Sequence, residues 1–146
     1  MIQYLINKFR FFIFLIPITN LINAQSLDAI NHKKIYNDIL NIGNKVIEWR
    51  HDIHQYPELS NREFKTSKKI SEHLIKLGLE VQTGIAHTGV VGLLRGKKPG
   101  KVVALRADMD ALPVTERNNL PYKSNVIAKY NNSETGVMHA CGHDTH

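Results

Sequence analysis

From Ile35 onward the apolar residues recur every three or four positions: Ile35, Ile39, Ile42, Val46, Trp49 and Ile53. That spacing lines one face of an α-helix, which must end before Pro57. Gly43 inside the run weakens the helix slightly. The segment "PELSN", residues 57–61, reads as a turn. Ser60 or Asn61 can cap a second helix, and Ser60 with Glu63 has the capping-box spacing. The buried stripe expected for that helix is Phe64, Ile70, Leu74 and Leu77, with Gly78 just past its end. The period then changes to two. "LEVQT", residues 79–83, alternates like a strand. "TGVVGLLRG", residues 88–96, and "VVALRA", residues 102–107, are apolar runs joined by the Pro-Gly turn "KKPGK", the pattern of a β-hairpin. Their near-continuous apolar character predicts a sheet covered by helices on both faces. Residues 108–146 show little periodicity and read as a long polar loop. The order helix, helix, strand, hairpin, loop is the opening of an α/β domain, with so few strands that the domain is expected to be incomplete.

The first 26 residues follow another logic. They carry Lys8 and Arg10 but no acid, then an apolar run over 11–18 broken only by Pro17, then Ala24 placed for cleavage. This is the layout of a secretory signal peptide, and the apolar run is well short of the ~20 residues that span a bilayer. Residues 1–24 are therefore expected to be a signal peptide, 25–46 a leader and the start of the first helix, and 47–146 the α/β domain. The product is expected to be secreted or periplasmic, with no membrane partner after cleavage; a membrane anchor left uncut is the alternative. The formal net charge is +6, and Lys8 and Arg10 belong to the leader, so the remainder carries +4. Its lysines are spread out without interleaved aromatics, which gives no nucleic-acid footprint. The single cysteine, Cys141, cannot form an internal disulfide; in an exported chain such a thiol pairs with another chain, stays reactive or is held by a metal.

Two polar clusters carry the candidate chemistry. In "RADMDALP", residues 106–113, Asp108 and Asp110 follow a presumed strand, where ligands gather in open α/β sheets. They could share a cation, or simply serve as turn residues, a role Asp favours. In "MHACGHDTH", residues 138–146, an extended backbone would project Cys141 and His143 to one side. Thiolate and imidazole suit zinc and its neighbours, and His139, Asp144 and His146 flank them. A thiolate–imidazole nucleophile and a plain turn are the competing readings, although catalytic Cys and His usually come from distant parts of a chain.

Residues 47–146 resemble the M20 metallopeptidase family in its amidohydrolase branch, which includes hippurate hydrolases, N-acyl-amino-acid amidohydrolases and plant auxin-conjugate hydrolases. The resemblance rests on "WRHDIHQYPELSNREFKTSKKISEHLIKLGLEV", "TGVVGLLRG", "VVALRADMDALPV", "LPYKS" and "GVMHACGHDTH", in family order and spacing. It implies a three-layer α/β/α zinc-peptidase-like catalytic domain, of which this is the N-terminal part, and a homodimer in the full-length form. It implies Cys141 and His143 as metal ligands and Asp110 as the acid that orients a metal-bound group; Asp108 falls where the wider family has a ligand His. Two divalent metals, zinc or manganese, with cobalt or nickel also compatible, would serve hydrolysis of N-acyl-amino acids. A dipeptidase or carboxypeptidase is the alternative, as is a secreted metal-binding remnant without catalysis. The family's general-base Glu and further ligands fall downstream of this motif, so the 146-residue chain is expected to be a fragment with little or no amidase activity.

Overall fold

A computed structural model describes residues 31–146. The signal peptide expected at residues 1–24, and with it the export expectation, lies outside the described residues. The chain divides into two compact units, Met1–Val46 and Ile47–His146. In the first, residues 31–46 are helical, and the stripe Ile35, Ile39, Ile42 and Val46 is exposed. In the second unit residues 47–55 are helical and are called α1. The helix stops two residues short of Pro57, as the spacing predicts. Among the described residues no helix is long and apolar enough to cross a membrane.

The second unit continues with α2, Phe64–Lys76. Its start differs from the expected capping box. The cap position is Glu63, whose side chain makes no cap bond; its carboxylate instead accepts from the Asn61 backbone N–H at 2.9 Å and the Thr88 hydroxyl at 2.6 Å. The free N–H groups of the first turn are met by Glu58 from the preceding turn, which accepts from the Thr66 N–H at 2.8 Å and the Thr66 hydroxyl at 3.0 Å. A carboxylate at a helix N-terminus is favoured by the backbone dipole as well as by these bonds. The end is as predicted. Gly78 takes φ 82° and donates to Ile75, while Leu79 donates to Leu74, the paired bonds of a Schellman cap.

The expected buried stripe of α2 is corrected. Phe64 and Leu77 are exposed, Ile70 and Leu74 are half-buried, and the buried positions are Thr66, Ser67 and Ser71. Of these, Thr66 is where Glu58 reaches the helix, and the Ser71 hydroxyl donates to the Lys68 carbonyl at 2.8 Å. Leu74 packs toward the next two strands: a Cβ added at Gly92 would meet Leu74 and Leu79 at 3.0 and 3.1 Å.

Strands β1, Glu80–Ile85, and β2, Gly89–Leu93, form an antiparallel pair. The turn between them holds Ala86 and His87 at positive φ. The hairpin predicted between 88–96 and 102–107 is therefore replaced by one between 80–85 and 89–93. Residues 101–110 have no regular structure, and Val102, Val103 and Leu105 are 83–96% exposed. A strand apolar on both faces needs neighbours on both edges and cover on both sides; among the described residues 102–107 has neither. Two separate two-stranded sheets thus stand where a covered sheet was expected.

The presumed loop contains the second sheet. β3, Ile127–Tyr130, pairs with β4, Ser133–Gly136, through Asn131 and Asn132, both at positive φ. Two consecutive left-handed residues make the hairpin turn whose twist matches that of its strands, and Asn tolerates that conformation. The core sits beside this hairpin: Leu59, Ala111 and Val137 are buried, with Val126 and Ala128 packed against them.

Candidate functional site

The site is assembled by three short backbone staples. The Ala111 N–H donates to the Glu58 carbonyl at 2.8 Å, joining residue 111 to the turn after α1. Leu112 and Met138 exchange bonds of 3.0 and 3.1 Å in an antiparallel bridge. Val137 donates to the Val126 carbonyl at 3.0 Å. Asp110 is thereby held one residue from the first staple, and the "HACGHD" stretch leaves directly from the second.

The backbone then turns sharply. Gly142 adopts φ 81°, and His143–Thr145 form a single 3-10 turn. Cys141 and His143 therefore do not lie on an extended strand, and the expected alternation does not apply to them. The reversal at Gly142 separates their directions: Cys141 is exposed, whereas His143 turns back to Asp110. The His143 Nδ1 lies 2.9 Å from Asp110 Oδ1 and 3.0 Å from the Asp110 carbonyl oxygen. Both oxygens only accept, so Nδ1 is the donor, and in the neutral ring this leaves the lone pair on Nε2. A carboxylate behind an imidazole, fixing the nitrogen left free, is the arrangement that supports a metal-ligating histidine.

Asp108 makes other bonds. Its carboxylate is held by the Arg106 guanidinium at 2.6 Å, which keeps it below the ordinary carboxylate range, and its N–H donates to His146 Nδ1 at 3.2 Å. Asp108 and Asp110 thus have different hydrogen-bond partners, while His146, which Asp108 meets, lies 5.2 Å ring to ring from His143. Among the described residues no group of three His, Cys, Asp or Glu side chains is arranged to hold a metal ion.

Behind His143 lies a buried polar network. Asp144, next in sequence, is buried; its Oδ2 meets the Arg50 Nε at 3.3 Å and the His54 Nδ1 at 2.9 Å. The other nitrogen of His54 meets Glu116 Oε1 at 3.2 Å. Glu116 Oε2 accepts the Ser124 N–H at 2.7 Å, and the Ser124 hydroxyl donates to the Val137 carbonyl at 2.7 Å. His139 is also buried, with both ring nitrogens lacking a hydrogen-bond partner. Burial holds its imidazole below the ordinary value; Asp144 and Asp110 pull upward, while His54 and His143 reinforce the burial.

Burial alone would raise the Glu116 carboxyl, but the Ser124 N–H and His54 outweigh it and hold the group below its ordinary value of 4.5. A lowered carboxyl adds stability that is fully present above the unfolded value and disappears as pH falls through the folded one. Glu116→Gln is expected to flatten the decline in stability below pH 4.5, read from urea midpoints against pH. An acid limb as steep as that of the parent would contradict this coupling.

The sequence singles out Asp110, Cys141 and His143, and the fold brings Asp110 and His143 into contact. His54, Arg50 and Glu116 are missed. One signal was available: Arg50 and His54, four apart, fall on one edge of α1.

The chain's similarity to known proteins follows the same residues. Residues 104–146 match the model of peptidase family M20/M25/M40. The chain is 55% identical over 115 residues to thermostable carboxypeptidase 1 of Saccharolobus solfataricus, covering 78% of this chain and 27% of that protein. It is 45% identical over 109 residues to the hippurate hydrolase of Campylobacter jejuni, covering 75% and 26%. Among solved structures, the Bacillus subtilis YXEP protein, described as a dinuclear metal binding peptidase, aligns with a TM-score of 0.60 at 42% identity over 69% of this chain and 26% of that one. The chain spans about a quarter of the length of the curated relatives it matches.

Proposed function

We propose, from a chain whose residues 104–146 belong to peptidase family M20/M25/M40, that it contributes metal-binding residues to a hydrolase cleaving the amide bond of N-acyl-amino acids. The observation that carries this reading is the Asp110–His143 pair, which leaves His143 Nε2 as a donor two residues from the exposed thiol of Cys141. Sulfur and nitrogen donors of this kind fit zinc, and tolerate manganese, cobalt or nickel. Cys141 and His143 would hold the ion, and Asp110 would fix the ring of His143. A divalent ion bound there lowers the pKa of water and polarises a scissile carbonyl. The dinuclear character of the YXEP protein supports two ions in the complete site.

Two donors make half of a tetrahedral zinc shell. The 146-residue chain is accordingly expected to bind metal weakly and to turn over N-acyl-amino acids very slowly or not at all. The leader-like residues 1–24 support an exported protein. The relationship at 55% identity to a carboxypeptidase favours a second reading, in which the amide cleaved is that of a C-terminal peptide residue.

The test is zinc, manganese and cobalt titration of the full chain, with hydrolysis of N-benzoylglycine, N-acetylmethionine and a blocked dipeptide followed in parallel. Saturable binding that Cys141→Ser and His143→Ala each abolish is the expected result. Binding indifferent to both substitutions would overturn the metal assignment. Fast, chelator-sensitive turnover by this chain would overturn the low-activity expectation. The preferred substrate would decide between the two readings.

A further inference from the structure

We propose that His54 is a positioning residue for the 143–145 turn: by holding Asp144 on one side and Glu116 on the other, it sets the orientation in which Cys141 and His143 are presented. This rests on the reading of those two residues as metal donors.

The geometry is specific. His54 is buried, and its two ring nitrogens face two different carboxylates, Asp144 at 2.9 Å and Glu116 at 3.2 Å. A carboxylate only accepts, so both contacts are hydrogen bonds when both nitrogens carry protons. A neutral ring could serve only one of the two. The bridge thus joins an acidic side chain on either side through one buried ring. Each carboxylate leads to a different part of the site. Asp144 is the residue after His143, within the 3-10 turn. Glu116 leads through Ser124 to the carbonyl of Val137, one residue before the Met138 staple. His54 therefore grips the "HACGHD" stretch near both ends. The turn's own backbone bonds run from Thr145 N–H to Gly142 at 2.9 Å and from His146 N–H to His143 at 3.2 Å; beyond them, Arg50 shares Asp144 at 3.3 Å and the Asp108 N–H reaches His146 at 3.2 Å. Asp110 reaches His143 only through the side chain of that ring.

The experiment has a metal-free arm and a metal arm, both on the full chain. In the first, amide exchange at Thr145 and His146 is compared for the parent and His54→Ala. Exchange there is expected to quicken at least tenfold, while Ser67 in the first turn of α2 is unchanged. In the second arm, cobalt titration is expected to show 10–100-fold weaker binding for His54→Ala, the range found when a supporting residue behind a metal ligand is removed. Combining His54→Ala with Asp144→Asn then separates positioning from general damage. If His54 acts through Asp144, the double substitution costs no more than the larger single one. His54→Gln, which retains a donor toward one carboxylate, should recover part of the protection and serves if His54→Ala does not fold.

Exchange at 145 and 146 within twofold of the parent in His54→Ala would overturn the proposal, as would fully additive effects on cobalt affinity. If the parent and Cys141→Ser bind cobalt alike, the metal reading fails by itself, and the exchange arm still decides the role of His54.

Discussion

A chain with Ala in place of Asp144 is expected to lose about 3–5 kcal/mol of stability, the range typical of breaking one side of a buried ionic contact. The side chain of Asp144 is 2% exposed, and that of His54 is 7% exposed. Removing the carboxylate leaves the ring of His54 facing a methyl group where an acceptor stood, and withdraws the partner of the Arg50 guanidinium. The lost carboxylate volume is small, so a cavity would account for little of the effect; the unpaired imidazole dominates. Most small domains are stable by only about 5–15 kcal/mol, so this is a large fraction of the total. Urea unfolding followed through Trp49, the sole tryptophan, reports it directly, because that ring lies edge-on to His73 of α2 at 4.8 Å. A loss below about 1 kcal/mol would mean that the contact is no stronger than a solvent-exposed pair.

The second large effect concerns Gly136, the last residue of β4. A Cβ there would stand 2.6 Å from the Thr115 Cα and 2.7 Å from its hydroxyl oxygen. The conflict is steric, since the backbone at this position is not left-handed. A backbone atom cannot swing aside as the tip of a side chain can, so β4 or the backbone around 115 must move. Gly136→Ala is expected to cost about 1–3 kcal/mol, the usual range for an over-packed interior. It should also loosen the adjoining Leu112–Met138 bridge, seen as faster amide exchange at both residues. Gly92→Ala is the control, because the atoms it would meet are the mobile ends of Leu74 and Leu79. Equal losses for the two substitutions would remove the distinction between backbone and side-chain crowding.

The helices were legible because a 3.6-residue period depends only on nearest turns: the apolar steps from Ile35 to Ile53, and Gly78 as a stop, both appear in the fold. The pairing of strands was not, because it depends on which segment wins a partner. The runs 88–96 and 102–107 looked alike, yet the nearer 80–85 took the place of the second. The β3–β4 hairpin could have been read from Asn131-Asn132 between Tyr130 and Ser133, a turn pair with a known preference for positive φ. In the site, the residues carrying the family resemblance were legible as a motif. Their support was not: Asp144 finds Arg50 and His54 more than 85 positions away, and no local pattern announces a partner at that distance.

That distance bears on how the molecule is made. His54 emerges from the ribosome 90 residues ahead of Asp144 and 62 ahead of Glu116. At a synthesis rate of 5–20 residues per second, the ring waits on the order of 5–20 s for its last partner. During that interval the end of α1 must remain hydrated or be shielded by a chaperone. Closure of this network thus waits until Asp144 has been made.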